Sequence, residues 1–186
     1  MFLEYLKLGI DHILDLNGID HLLFLVALVI VYNLKQWKQV LILATAFTLG
    51  HSITLALSSF NLIKVNTTVV EIFIAVSIGW TAAYNIFPKE SGRLEKLRYI
   101  TALLFGLIHG LGFSNFFKTI LGKESIIQPL LAFNIGVELA QVLIVLVTLL
   151  ISYALIKFLK IKKRSLSVST SFVILIWSLK LVLERL

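Results

Sequence analysis

Residues 126–158 read IIQPLLAFNIGVELAQVLIVLVTLLISYALIKF. Glu138 and Lys157 are the only charged residues in this run, and ~20 apolar residues at a rise of about 1.5 Å each already cross a bilayer. The run is therefore read as a membrane-embedded helix. Asn134, Glu138 and Gln141 fall at i, i+4 and i+7, so they share one face, which must turn towards protein rather than lipid. The run is longer than a bilayer requires and Pro129 lies in its first turns, so a tilt, an extension beyond the membrane or an irregular first turn is expected. Working outward, comparable apolar runs occupy residues 13–34, 40–60, 67–87, 98–117 and 168–183. None shows the period-two alternation of a barrel strand, and open sheet edges are excluded from lipid. The sequence predicts an all-α, polytopic membrane helical bundle of about six transmembrane helices, a single transmembrane domain over residues 1–186.

Composition agrees. Of 186 residues, 59% are hydrophobic and 15% charged, with a mean hydropathy of +0.97, far from the balance of a soluble domain. The formal net charge of +7 does not point to nucleic acid, because the basic residues sit between apolar runs and read as topology anchors and lipid contacts. One set of loops carries eleven Lys and Arg residues, including Lys35, Lys38, Lys89, Arg93 and the cluster Lys160 to Arg164, against six on the other side, Lys123 among them. The positive-inside rule then places both termini outside the cytoplasm. A cleaved signal peptide is not expected from an N-terminus carrying Glu4, Lys7 and Asp11. With no Cys, a bound metal must be held by His, Asp, Glu, Asn or Gln.

Ionisable residues inside a membrane span are costly and mark function. At the helical rise, Asp20 and His21 lie roughly 10–12 Å below the outer edge of the first span. His51 and His109 fall near mid-membrane, Glu138 at comparable depth, and Glu71 shallower on the same side. Asp20, His21, His51, His109 and Glu138 thus converge on one layer and are read as ligands of a divalent cation, with nickel, cobalt or zinc suited to imidazole. His12 near the outer boundary, Glu71, Ser52, Asn134 and Gln141 are further ligands or supporting residues. Gly18, Gly50, Ser52, Gly110, Gly112 and Gly136 permit close helix approach. Asn85, nearer the opposite end, reads as a helix–helix hydrogen bond. A weak echo, F-x-L-x-H-small, joins Phe47 to Ser52 and Phe105 to Gly110.

Four segments, Gly18 to Phe24 (GIDHLLF), Phe47 to Leu55 (FTLGHSITL), Phe105 to Phe113 (FGLIHGLGF) and Phe133 to Leu139 (FNIGVEL), together resemble the HupE/UreJ family of small bacterial membrane proteins, in particular its second branch. The resemblance covers the first five spans. It implies a multi-pass protein of the bacterial cytoplasmic (inner) membrane linked to nickel or cobalt uptake for hydrogenase or urease. It also implies a signature of His followed by Asp-His, which falls here on His12, Asp20 and His21 with a longer gap than in the better-studied branch. That branch carries a Glu in its later His-Gly motif. This chain has His109-Gly110-Leu111-Gly112 instead, so Glu138 or Glu71 must supply the anionic ligand. A second copy of the chain and metalloenzyme maturation machinery are the partner classes left open.

The sequence leaves several functions in competition. The first is a divalent-metal permease with a His/carboxylate station in the outer half of the bilayer. The second is a zinc-dependent intramembrane hydrolase acting on a lipid or membrane peptide, with Glu138, Glu71 or Asp20 as general base and Ser52 as a hydrogen-bond donor. A haem-binding electron-transfer subunit and an assembly factor with a structural metal complete the set.

Overall fold

A computed structural model describes residues 1–16, 18–64, 66–87, 93–121 and 126–186, with the side chains of residues 93–95 left aside. Two of the loop cations counted above, Lys89 and Lys123, lie outside the described residues, as does the side chain of Arg93. Among the described residues there are seven α-helices and no strand: α1 (Phe2–Leu14), α2 (Asp20–Val29), α3 (Trp37–Ser59), α4 (Thr67–Ile86), α5 (Arg93–Leu121), α6 (Ile127–Phe158) and α7 (Lys163–Glu184), with one 3₁₀ turn over Leu34–Gln36. Five of them, α3 to α7, are long and apolar enough to cross a membrane. They correspond to the second to sixth predicted spans.

The first predicted span, residues 13–34, is not one helix. Helix α1 ends at Leu14, Asp15 is extended (φ −63°, ψ 116°), and a new helix starts at Asp20. The sequence between, Asp15-Leu16-Asn17-Gly18, is rich in residues that favour turns over helix interiors. Asp20 then stands in the first turn of α2, where a carboxylate complements the positive helix end. At about 20 Å and 15 Å by the helical rise, neither α1 nor α2 spans ~30 Å of hydrocarbon alone. Tyr5, Gly9 and Ile13, four residues apart, form the buried stripe of α1, while Glu4, Lys7 and Asp11 are exposed.

Small residues set the two tightest helix pairs. A Cβ on Gly9 would overlap the Phe133 carbonyl, and one on Gly136 would overlap the Leu6 carbonyl, so α1 lies directly on the first half of α6. Between α3 and α5 the same reciprocity holds: Gly50 faces the Leu103 carbonyl, Gly106 the Phe47 carbonyl and Gly110 the His51 carbonyl. Thr54 Oγ1 donates to the Leu107 carbonyl across this seam at 2.7 Å. The paired sites advance together, Phe47 with Gly106 and His51 with Gly110, so α3 and α5 run parallel and the two F-x-L-x-H-small segments lie side by side.

Towards the other end of the bundle, Asn85 is buried and does what a helix–helix polar residue should. Its Nδ2 donates to the Ala27 carbonyl of α2 at 2.6 Å, and its Oδ1 accepts from Arg98 of α5 at 3.2 Å. Arg164 of α7 donates to the carbonyls of Asn85 and Ile86. This end also carries Lys35, Lys38, Lys157, Lys160, Lys162 and Lys163.

Candidate metal centre

The break after α1 brings His12, in the last turn of α1, and His21, in the first turn of α2, onto the middle of α3 at His51. One ring nitrogen from each of His12, His21 and His51 lies within 4.8 Å of the other two. The His12 and His21 rings meet edge to face at 4.5 Å between centroids, and His51 stands 5.9 Å from His12 and 6.2 Å from His21. His109 of α5 adjoins His21 at 5.1 Å. His21, His51 and His109 are buried, His51 completely. Phe113 and Phe133 stack on one side of the group, and Phe24 and Phe47 stand on the other.

Burial in low dielectric demands hydrogen-bond partners, yet no hydrogen bond of ordinary geometry reaches the Nε2 atoms of His12, His21 and His109 or either ring nitrogen of His51, which has the side chain of Asn134 beside it. His109 shows how such a nitrogen is aimed. Its Nδ1 lies 2.8 Å from the Phe105 carbonyl; a carbonyl only accepts, so Nδ1 carries the proton and Nε2 keeps a free lone pair. A backbone carbonyl on one ring nitrogen is the usual device for orienting the other towards a metal. The donor set, three or four neutral imidazoles, fits a borderline transition-metal cation such as nickel, cobalt or zinc and not an oxygen-seeking ion. Bonds of 2.0–2.1 Å in tetrahedral geometry put ligand nitrogens about 3.3 Å apart.

The broken span adds a field. Two helix ends of opposite partial charge reach the cluster, the negative C-terminal end of α1 at His12 and the positive N-terminal end of α2 at His21. Discontinuous helices whose ends meet at membrane depth are a recurring way to build cation sites in transporters.

No carboxylate belongs to the 4.8 Å group, and Asp20 and Glu138 each have a partner of their own. Asp20 Oδ2 accepts from Arg185 at 2.7 Å, and Arg185 also donates to the Glu71 backbone carbonyl at 2.8 Å. Glu138 Oε1 accepts from Thr45 Oγ1 at 2.6 Å and Gln141 Oε1 from Thr48 Oγ1 at 3.1 Å, both across the α3–α6 contact. Asn134 Nδ2 donates to the Leu130 carbonyl within α6, and Ser52 Oγ donates to the Thr48 carbonyl within α3. A cavity of about 220 Å³ opens onto the group and is lined by His12, His21 and His109 together with Asp20, Glu71 and Arg185.

The whole length of the chain carries a family signature: HupE / UreJ protein, matched over residues 1–185. The chain belongs to the HupE/UreJ family. No curated protein and no solved structure matches it. Within this HupE/UreJ chain the His followed by Asp-His falls where the structure breaks the first span, so His12 and His21 come together because α1 ends at Leu14 and a separate helix starts at Asp20. Sequence reasoning placed His12 near the outer boundary as a further ligand or supporting residue, and gave Arg185 no role at the site. The turn-forming composition of residues 15–18 was the available signal for the first; nothing in the sequence linked Arg185 to Asp20.

Proposed function

We propose that the chain is a divalent-metal permease for nickel- or cobalt-type ions in the bacterial cytoplasmic membrane, with the histidine cluster as its binding station. The observation that carries this reading is the set of unpartnered nitrogens of His12, His21 and His51, buried together within 4.8 Å of one another. Membership of a family associated with metal handling supports it. On this reading the basic end of the bundle faces the cytoplasm by the positive-inside rule, both termini lie outside, and the cavity beside Asp20 receives the ion from the extracytoplasmic side.

In this arrangement His12, His21 and His51 replace part of the hydration shell, and His109 stands next to them with a lone pair ready to accept the ion from His21. Asp20, paired with Arg185, lines the cavity through which the ion arrives. Inward of the histidines, Phe24, Phe47 and Phe105 close the route: the Phe24 and Phe47 rings are 5.0 Å apart, and Phe105 lies 5.9 Å from Phe24. An ion held here is open to one side, and passage requires that floor to part, as alternating access demands. The hydrolase reading is not favoured, since Asp20 is paired with Arg185 and the Ser52 hydroxyl donates to the Thr48 carbonyl, leaving it no proton for a substrate oxygen.

The test is uptake of radioactive nickel or cobalt into sealed vesicles containing the purified chain. The reading predicts accumulation that His51→Ala abolishes and Trp177→Ala leaves intact. Equal flux in vesicles with and without protein would overturn it.

A further inference from the structure

Arg185 and Asp20 form an ion pair at 2.7 Å with side chains only 18% and 15% exposed. A guanidinium and a carboxylate so far removed from water hold each other in place, because separating them strands a charge in low dielectric. Their location is the point of interest. Asp20 immediately precedes His21, and the pair lines the same cavity as the unpartnered nitrogens of His21 and His109. The second arm of Arg185 is held by the Glu71 carbonyl at 2.8 Å. Of the carboxylates that line this cavity, Asp15, Asp20 and Glu71, Asp20 therefore already has a cation, one at the end of α7.

We propose that Arg185 is the resident counter-ion of the metal route, occupying Asp20 until an incoming divalent cation takes its place, and that it sets the selectivity of the site for divalent over monovalent ions. This rests on the reading of the histidine cluster as a metal station. Exchange of one monovalent cation for another leaves Asp20 no better compensated, and potassium finds no affinity in imidazole nitrogens. A divalent transition ion satisfies Asp20 and the imidazoles together, so it alone can afford the displacement. The released guanidinium keeps its bond to the Glu71 carbonyl and turns its freed arm to bulk water.

Two variants of the full chain in nanodiscs test this, with nickel alone as probe and potassium as competitor. Arg185→Gln keeps a donor for the Glu71 carbonyl and removes the charge. It should bind nickel about tenfold more tightly, the size expected from losing one charge-assisted competitor, and should become sensitive to potassium. In an Asp20→Asn background the same substitution should change nothing, because the competition runs through that carboxylate. A variant-free measurement guards against misfolding: in the wild type, nickel should speed modification of Arg185 by phenylglyoxal, read by mass spectrometry of its peptide. Unchanged or weaker nickel binding by a well-folded Arg185→Gln chain, or Arg185 reactivity indifferent to nickel, overturns the inference while His51-dependent binding by the wild type leaves the metal reading standing. A wild type that binds no nickel overturns both.

Discussion

The imidazoles of His12 and His21 meet edge to face with centroids 4.5 Å apart, although they belong to different helices separated by a non-helical segment. The contact depends on where α1 is anchored, and that anchor is the reciprocal fit of Gly9 and Gly136 against the facing backbones. Both links, the break and the anchor, act on His12 more than on any other member of the cluster.

Gly136→Leu should therefore lift α1 off α6, since its side chain would meet the Leu6 carbonyl and the Ile10 amide. Backbone cannot give way as a flexible side chain can, and overpacking of this kind costs about 1–3 kcal/mol. Hydrogen exchange should rise across residues 2–14 while α3 and α5 stay protected. Nickel affinity should fall to the level of His12→Ala and no further. Unchanged protection of α1 would contradict the anchoring role.

At the α3–α5 seam the consequence is larger. Gly106→Val should push apart the helices that carry His51 and His109, because its Cβ falls on the Phe47 carbonyl. Thermal unfolding should shift down and nickel binding should be lost together. Thr54→Val removes only the hydroxyl donated to Leu107, and a loss of about 1 kcal/mol of stability with binding retained is the expected contrast.

These cases show what was legible in the sequence. The five long helices were, since each is an apolar run with no competing signal, and α6 matches residues 126–158 almost to the residue. The first span was not: its apolar run from Ile13 to Leu34 hid the end of α1 at Leu14 and the fresh start at Asp20, and reading it as one helix put His12 near the outer boundary, where a ligand role and an interfacial one were equally open. The polar face of α6 was legible as inward-facing, but its partners were not. Glu138 and Gln141 bond Thr45 and Thr48 of α3, a pairing that depends on the α3–α6 crossing and leaves no trace in either segment alone. The histidine echo looked slight because its meaning lies in the parallel packing of α3 on α5.

Asn85 separates stability from binding. It ties α2 to α4 through the Ala27 carbonyl and meets Arg98 of α5, well away from the histidines. Asn85→Leu should cost about 1–3 kcal/mol by leaving buried polar groups unpaired, seen as a lowered unfolding midpoint. Nickel affinity in the folded protein should stay within about twofold of the wild type, as for distant uncoupled sites. A large loss of affinity without loss of stability would place Asn85 on the metal route.

The central claim is that His12, His21 and His51 form one metal station. The most direct test is nickel binding to the purified chain, stripped of metal and titrated by calorimetry with elemental analysis of the product, for the wild type beside His51→Ala. The account predicts one nickel per chain for the wild type and none at the same concentrations for the variant, with helical content unchanged. Equal binding by both proteins would contradict it.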